Sequence, residues 1–173
     1  SAVITTPSSN KIYRSHKFAA RQEINIEVGS GCKLEYLPEH NMPYAESVFS
    51  QKNIYRVHRG GMLFAWDTVI PGRLSRSECF DFTQYCSDTQ IYYDDRLLLR
   101  DALKIDPSKL DLHNAASLGQ YTIFSTAYLV DENISEMLLN ELYEYFERNS
   151  GRFFGGASKV DENLAVIKVL FKT

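Results

Sequence analysis

The stretch MLFAWDTVI, residues 62–70, decides the fold class. Successive side chains of a β-strand point to opposite sides. One face of this stretch holds Phe64, Trp66, Thr68 and Ile70, and the other holds Leu63, Ala65, Asp67 and Val69. Both faces are mostly apolar, which is typical of a strand that is covered on both sides. Gly60-Gly61 before it and Pro71-Gly72 after it predict turns that bound the strand.

Strand signals of the same kind recur on either side of this stretch. Alternating or continuous short apolar runs, separated by Gly, Pro and polar residues, indicate strands joined by turns. We predict them at residues 24–28, 34–37, 54–58, around Phe80 and Phe82, and at 91–93, 97–99, 121–130, 152–157 and 164–171. This rhythm predicts a mainly β fold, built as stacked hairpins or as a coiled sheet.

One segment of the C-terminal half has helical spacing instead. Its apolar residues are Ile134, Leu138, Leu142, Tyr145 and Phe146. With Asp131 or Asn133 as the N-cap and Gly151 just past the end, the pattern predicts a helix over about 133–149. A weaker helical turn near 107–118 makes the expected number of helices one or two.

Composition narrows the function classes. The 173 residues carry a net charge of −3, with scattered basic residues, which argues against a nucleic-acid or anionic-membrane partner. No apolar run is long enough to span a membrane. Three cysteines without a framework pattern suit a reducing cytoplasm. We expect a single domain over residues 1–173, and the lack of an initiator Met suggests a piece of a longer chain.

Catalytic and metal-binding signatures are missing from the sequence. There is no nucleophile elbow, phosphate-binding loop or dinucleotide fingerprint, and Gly29–Gly31 and Gly155-Gly156 read as hairpin turns. The histidines (His16, His40, His58 and His113) are not at metal-site spacing. The local pair Glu39-His40 could meet a borderline divalent ion transiently, although an ordinary polar surface also explains it.

Two further patterns leave alternatives open. Asp94-Asp95 suits either paired acid–base carboxylates or an acidic turn after the strand at 91–93. Eleven Tyr and ten Phe are more than a core of this size requires, so some, such as Tyr143 on the helix, are expected at partner surfaces.

Five segments, in order and with consistent spacing, carry a resemblance. They are ITTPSSNKIYRS at 4–15, LEYLPE at 34–39, PYA at 43–45, DTVIPGR at 67–73 and IYYDD at 91–95. Together they resemble the urease accessory protein D/H family. The resemblance implies a helicoid of β-strands with two helices. Since members of that family run well beyond 200 residues, it also implies that an N-terminal block of strands is absent.

The resemblance further implies a non-catalytic function. Members of the family are cytoplasmic chaperones that bind apo-urease and the accessory proteins F and G, the latter a GTPase that carries nickel. They assist nickel insertion and hold no tightly bound cofactor, so Ni²⁺ is handled only transiently. A passage through the protein has been proposed as the nickel route.

Matching segments supply candidate nickel-path or interface residues. They are Glu35, Glu39, His40, Asp67 and Arg73, with Glu39 and His40 the metal candidates. Hydrogen bonding within a turn or strand is the alternative role for each of them.

Two other classes of function stay open at this point. A β-rich protein- or carbohydrate-binding module would use exposed aromatic residues, although the single tryptophan, Trp66, lies in the most apolar strand. A hydrolase would require an enclosed pocket around Asp94 and Asp95.

Overall fold

Twelve β-strands and one α-helix make up the part of the chain that the structure, a computed structural model, describes: residues 1–112, 114 and 117–172. The strands are β1 (Ala2–Thr5), β2 (Asn10–Ile12), β3 (Ala20–Val28), β4 (Lys33–Leu37), β5 (Asn41–Pro43), β6 (Val48–Val57), β7 (Met62–Val69), β8 (Gln84–Tyr93), β9 (Arg96–Ile105), β10 (Ile123–Val130), β11 (Phe153–Asp161) and β12 (Leu164–Phe171). The helix is α1 (Glu136–Arg148), and a short 3-10 turn covers Leu74–Arg76.

The chain winds between two sheets. Sheet A has the order β1-β4-β7-β10-β12-β11, with β2 and β5 extending it beside β7, and sheet B has the order β3-β6-β8-β9. From β3 to β8 the chain alternates between the sheets, and each new strand pairs in parallel with the one laid down a turn earlier. The predicted mainly β fold and its coiled stack of strands are therefore confirmed.

Two antiparallel hairpins complete the sheets. β8 and β9 form one, and β11 and β12 form the other. The first hairpin turns at Asp94 and Asp95, whose φ angles are 49° and 64°. Positive φ at both central residues gives the turn the twist that the flanking strands need, and Asp tolerates it better than most residues. The predicted acidic turn is confirmed.

Strand β7 occupies the middle of sheet A, between β4 and β10. Its inward side chains Leu63, Ala65 and Val69 are buried, whereas Phe64 and Trp66 on the outer face are only half-buried. The prediction that both faces of β7 are covered is therefore confirmed only for its inner face.

The space between the sheets contains two apolar clusters with polar residues between them. One cluster surrounds Leu63 and Ile91, and the other surrounds Phe49 and Tyr85. Strand register brings the polar residues into neighbouring rows. This polar band consists of Gln22, Gln51, Asn53, Asp67, Ser87, Thr89, Asp101, Thr126 and Lys168.

Helix α1 lies against β11 and begins three residues later than predicted. Ser135 is its N-cap, and the Ser135 Oγ accepts from the backbone N–H groups of Met137 and Leu138 at 3.1 and 3.4 Å. Neither Asp131 nor Asn133, the expected caps, has that position. Among the described residues, no helix combines the length and apolar character that crossing a membrane requires.

Two expected elements differ from the structure. Phe80 and Phe82 are buried in the second apolar cluster, but they lie in irregular chain between the 3-10 turn and β8, so the strand prediction there was wrong. Their alternation reflects burial rather than pairing. The described residues of 107–118 form turns and no helix, and positions 113, 115 and 116, which include His113, lie outside the described residues.

Gly155 in β11 gives a test of how α1 is held. A methyl group at Gly155 would lie 2.9 Å from the Phe146 ring, whereas one at the adjacent Gly156 would meet nothing within 4 Å. We expect Gly155→Ala to lower the free energy of unfolding by about 1–3 kcal/mol, because the buried ring must shift. Gly156→Ala is the matched control and should be neutral or slightly stabilising. Equal denaturation midpoints for the two variants would contradict this packing.

Candidate functional site

Sheet A has an opening beside the middle of β7. The chain leaves the ladder at residues 38–40, between β4 and β5, and at residues 6–9, between β1 and β2. Residues 66–68 of β7 therefore have no strand partner on that side. Pro7 and Pro38 lie in these bends and have no N–H to donate to a ladder. A bond from the Glu39 N–H to the Thr6 Oγ1, 2.9 Å long, joins the two bends.

A cavity of about 350 Å³ leads inward from this opening. Thr6 and Glu39 line its mouth, Gln22 and Tyr55 of sheet B line its far side, and Asp67 lies at its inner end. The cavity therefore reaches the polar band from the outside of sheet A.

Asn41 is the centre of a side-chain network at the inner end of this first cavity. Its Nδ2 donates to Gln51 Oε1 and to Asp67 Oδ1, each at 3.0 Å, and its Oδ1 accepts from Asn10 at 2.8 Å. Asn10 also donates to Gln22 at 2.7 Å, and Gln51 Nε2 donates to Asp67 Oδ2 at 2.9 Å. Asn41 and Gln51 thus donate to the carboxylate directly, and Asn10 and Gln22 extend the network to β2 and β3.

The carboxylate of Asp67 lies inside the protein and carries a negative charge at neutral pH. Burial raises the pKa of Asp67 to about 6, and the hydrogen bonds from Gln51 and Asn41 oppose that rise. Its charge in turn adds to the effect of burial in raising the pKa of Tyr36 and of Tyr55. Among the described residues no Lys, Arg or His forms an ion pair with it. The field at this point therefore favours a cation.

A second cavity, of about 360 Å³, lies beyond Asp67. Asp67 lines both cavities, and Tyr128, Asp101 and Lys168 line the second one. Leu103 and Phe124 give part of its wall an apolar character. The polar band thus has a cavity on each side of Asp67.

Hydroxyl and amide groups connect the band to the second cavity. Asn53 Nδ2 donates to Thr89 Oγ1 at 3.1 Å. The Tyr128 hydroxyl donates to Asp101 Oδ2 at 3.0 Å, and the Lys168 ammonium lies 2.9 Å from the same oxygen. Burial, followed by the charge of Asp101, raises the pKa of Tyr128, which keeps its proton on the hydroxyl.

The structure separates the residues that the sequence had grouped as candidates. Asp67 and Glu39 line the first cavity. His40 Nδ1 lies 3.6 Å from Glu39 Oε2 near the mouth. Glu35 is exposed on the outer face of sheet A, and Arg73 is bound to Glu78 and stacked over the Tyr44 ring, so neither lines a cavity.

The amides of the network were missed from sequence. Asn41, Gln51 and Asn53 did not stand out because Asn and Gln have no motif of their own. A signal was present in β6, where Gln51 and Asn53 interrupt an otherwise apolar inward face that includes Phe49, Tyr55 and Val57.

The other sequence candidates form no site. Asp94 and Asp95 are exposed on their turn, which counts against the hydrolase. The Trp66 indole N–H bonds to Thr68 and the ring is half-buried, unlike an exposed sugar platform. Gly155 and Gly156 lie inside β11, so reading them as a turn was wrong. Within the described residues, no three His, Cys, Asp or Glu side chains converge as metal ligands.

The described part of the chain is a strand-built coil in which the carboxylate of Asp67 lines two interior cavities. The sequence profile of the UreD urease accessory proteins matches residues 1–173. The chain therefore belongs to the UreD urease accessory protein family.

Individual relatives agree with this assignment. The chain is 30% identical to the urease accessory protein UreD of Lachnoclostridium phytofermentans over 168 residues, which cover 97% of this chain and 61% of that protein. It is 29% identical to UreD of Bacillus cereus, with 96% and 61% covered, and 33% identical to UreD of Herpetosiphon aurantiacus over 129 residues, with 74% and 45% covered. The chain thus spans about 61% of the length of the first two relatives.

Titration of Asp67 should be visible in stability. Since its pKa is about 6 when folded and 3.8 in the ordinary state, the folded chain binds the proton more tightly. Between pH 4 and 6 the free energy of unfolding should fall, relative to that of Asp67→Asn, by about 1.4 kcal/mol per pH unit as pH rises. Chemical denaturation of both proteins across this range measures it. A difference that does not vary with pH would show that Asp67 titrates normally.

Asn41 should be the amide on which the network depends most. Asn41→Ala removes donors to Gln51 and Asp67 and leaves buried groups without partners, so we expect a loss of about 2–3 kcal/mol in the free energy of unfolding. Asn25→Ala, which removes an exposed amide 3.3 Å from Glu23, is the matched control and should change little. A small loss for both variants would mean that solvent in the cavity replaces the amide.

Proposed function

We propose that this chain belongs to a non-catalytic, cytoplasmic urease maturation chaperone that binds apo-urease and the accessory proteins F and G and assists nickel insertion. The family assignment supports a role in urease maturation. The observation that carries the nickel part is Asp67, a half-buried carboxylate that lines two cavities and has no ion-pair partner among the described residues.

A cation in the polar band would gain energy from Asp67 and lose its hydration shell only partly. Two unit charges 4 Å apart attract by about 4 kcal/mol at the effective dielectric constant of a protein near its surface. Amide and hydroxyl oxygens of the band replace part of the lost water. This combination favours entry of a cation into the protein interior.

The donor set also favours weak and exchangeable binding. Nickel and its neighbours in the transition series bind tightly to imidazole and thiolate ligands. The described part of the band contains carboxylate, amide and hydroxyl groups instead, and its one cation, the Lys168 ammonium, is paired with Asp101. An ion that is handed onward must leave as readily as it arrives, so oxygen ligands suit a carrier of cargo.

The mouth of the first cavity suits the capture of such an ion. Glu39 lines this cavity, and the partly exposed His40 lies next to Glu39, with its Nδ1 3.6 Å from Glu39 Oε2. One carboxylate and one imidazole form too few ligands for a resident metal site, which requires three or four. As a pair they would bind a passing divalent ion briefly.

Activation of urease in cells that depend on this gene tests the proposal. We expect Asp67→Asn to reduce the nickel content and activity of urease about tenfold or more, because it removes the negative charge that lines both cavities. Apo-urease and the F and G proteins should still co-purify with the variant. Asp94→Asn, on the exposed turn, is the control and should activate urease normally.

Two results would contradict the proposal. Full activation by a folded Asp67→Asn protein would remove the polar band as a nickel route. Failure of the unaltered protein to co-purify with apo-urease or with F and G would remove the scaffold role.

A further inference from the structure

Residues 10–22, which form β2, the start of β3 and the bend between them, are a strongly basic stretch of the chain. They contain four Lys or Arg residues and no Asp or Glu. Since the whole chain has a net charge of −3 and this stretch carries +4, the remaining residues carry −7. The stretch is therefore a positive island on an otherwise acidic protein, and its field attracts negatively charged partners.

Most of these charges are available to a partner. Lys11, Lys17 and Arg21 are exposed and form no ion pair within the part of the chain that the structure describes. Arg14 lies 2.6 Å from Glu46, but the two side chains are 61% and 58% exposed. An ion pair this exposed contributes little to stability, so Arg14 can also turn to an incoming carboxylate.

Exposed aromatic rings accompany the basic side chains. Phe18 is 86% exposed and Tyr13 is 67% exposed, and both lie in the bend between β2 and β3. Aromatic and Arg side chains are enriched in the parts of protein surfaces that carry binding energy. The bend therefore combines the two side-chain types that interfaces use most.

A groove of about 460 Å³ lies beside these rings. Ile12 and Phe49, each 3% exposed, belong to its lining and give it an apolar base. Lys11, Arg21 and the Phe18 ring line it as well. β3 is the edge strand of sheet B, so no further strand of the described chain covers this side.

We propose that this groove is the docking site of an acidic protein segment. Its carboxylates pair with the basic side chains, and one of its apolar side chains packs on Phe18. This inference rests on the proposed function and adds to it the surface through which one maturation partner binds. Charge complementarity and an apolar base together favour a segment in which acidic and apolar residues alternate.

A nucleic acid or an anionic membrane matches this surface less well than a short protein segment does. Beyond Arg21, the same face of β3 continues with Glu23 and Glu27, which are both exposed. These carboxylates would repel a polyanion that extends along the sheet, and a phosphate backbone requires a continuous basic track. A short acidic segment can occupy the groove without reaching them.

Co-purification of the chain with apo-urease and with the F and G proteins, at two salt concentrations, tests this inference. Lys11→Glu combined with Arg21→Glu reverses the charge of the groove and should weaken capture of one of the three about tenfold at about 0.05 M NaCl. The loss should shrink at about 0.5 M NaCl, where exposed charges are screened. Lys33→Glu combined with Arg152→Glu, two exposed positions elsewhere, is the matched control and should leave capture unchanged.

Phe18→Ala tests the apolar part of the surface separately. Because the ring is 86% exposed, its removal should leave the free energy of unfolding unchanged. It should weaken capture of the same partner about tenfold, and to the same extent at both salt concentrations. Phe154→Ala, which removes a ring 62% exposed on β11, is the matched control and should not affect capture.

The outcomes separate this inference from the proposed function. If the charge-reversed chain captures all three proteins as the unaltered chain does, the groove is no docking site and only this inference is overturned. If the unaltered chain captures none of them, the scaffold role falls and this inference falls with it. Phosphatidylglycerol vesicles and an oligothymidylate strand are the probes for other polyanions. If charge reversal abolishes binding of either probe instead of a protein, the inference is overturned as well.

Discussion

The hydrogen bonds from Asn41 and Gln51 to the Asp67 carboxylate are the interaction on which the rest of this structure depends. A carboxylate inside a protein is costly unless donors surround it. Both oxygens of Asp67 receive an amide N–H, from β5 and β6 respectively. The Asp67 carboxylate therefore connects a strand of each sheet. Asn41 reaches it only because β5 pairs with β7 again after the bend at residues 38–40.

The coiled order of the strands explains how a polar layer is tolerated in so small a core. Parallel pairing in register places polar residues of β3, β6 and β8 in neighbouring rows, opposite Asp67 and Thr126 of sheet A. Apolar clusters on both sides of this layer provide the hydrophobic stabilisation. Several polar groups in the middle hydrogen-bond one another, and a cavity lies on each side of Asp67.

Between its two apolar clusters the fold holds a layer of oriented polar groups. The described band has no nucleophile beside a base and no converging set of metal ligands. It has a negative charge, oriented amide groups and two cavities that share Asp67. The role proposed above, in which nickel is cargo, rests on this arrangement together with membership of the UreD family.

The sequence alone determined the elements and the central strand. The period of two at residues 62–70, the helical spacing before Gly151 and the turn at Asp94-Asp95 are local properties, so they were predictable, and Asp67 was recognised as a candidate. Only the tertiary structure decided the site. Asn41 meets Gln51 and Asp67 from 10 and 26 residues away, and Asn53 meets Thr89 from 36. These side-chain contacts depend on the register in which distant strands pair, and no local pattern in the sequence encodes that register.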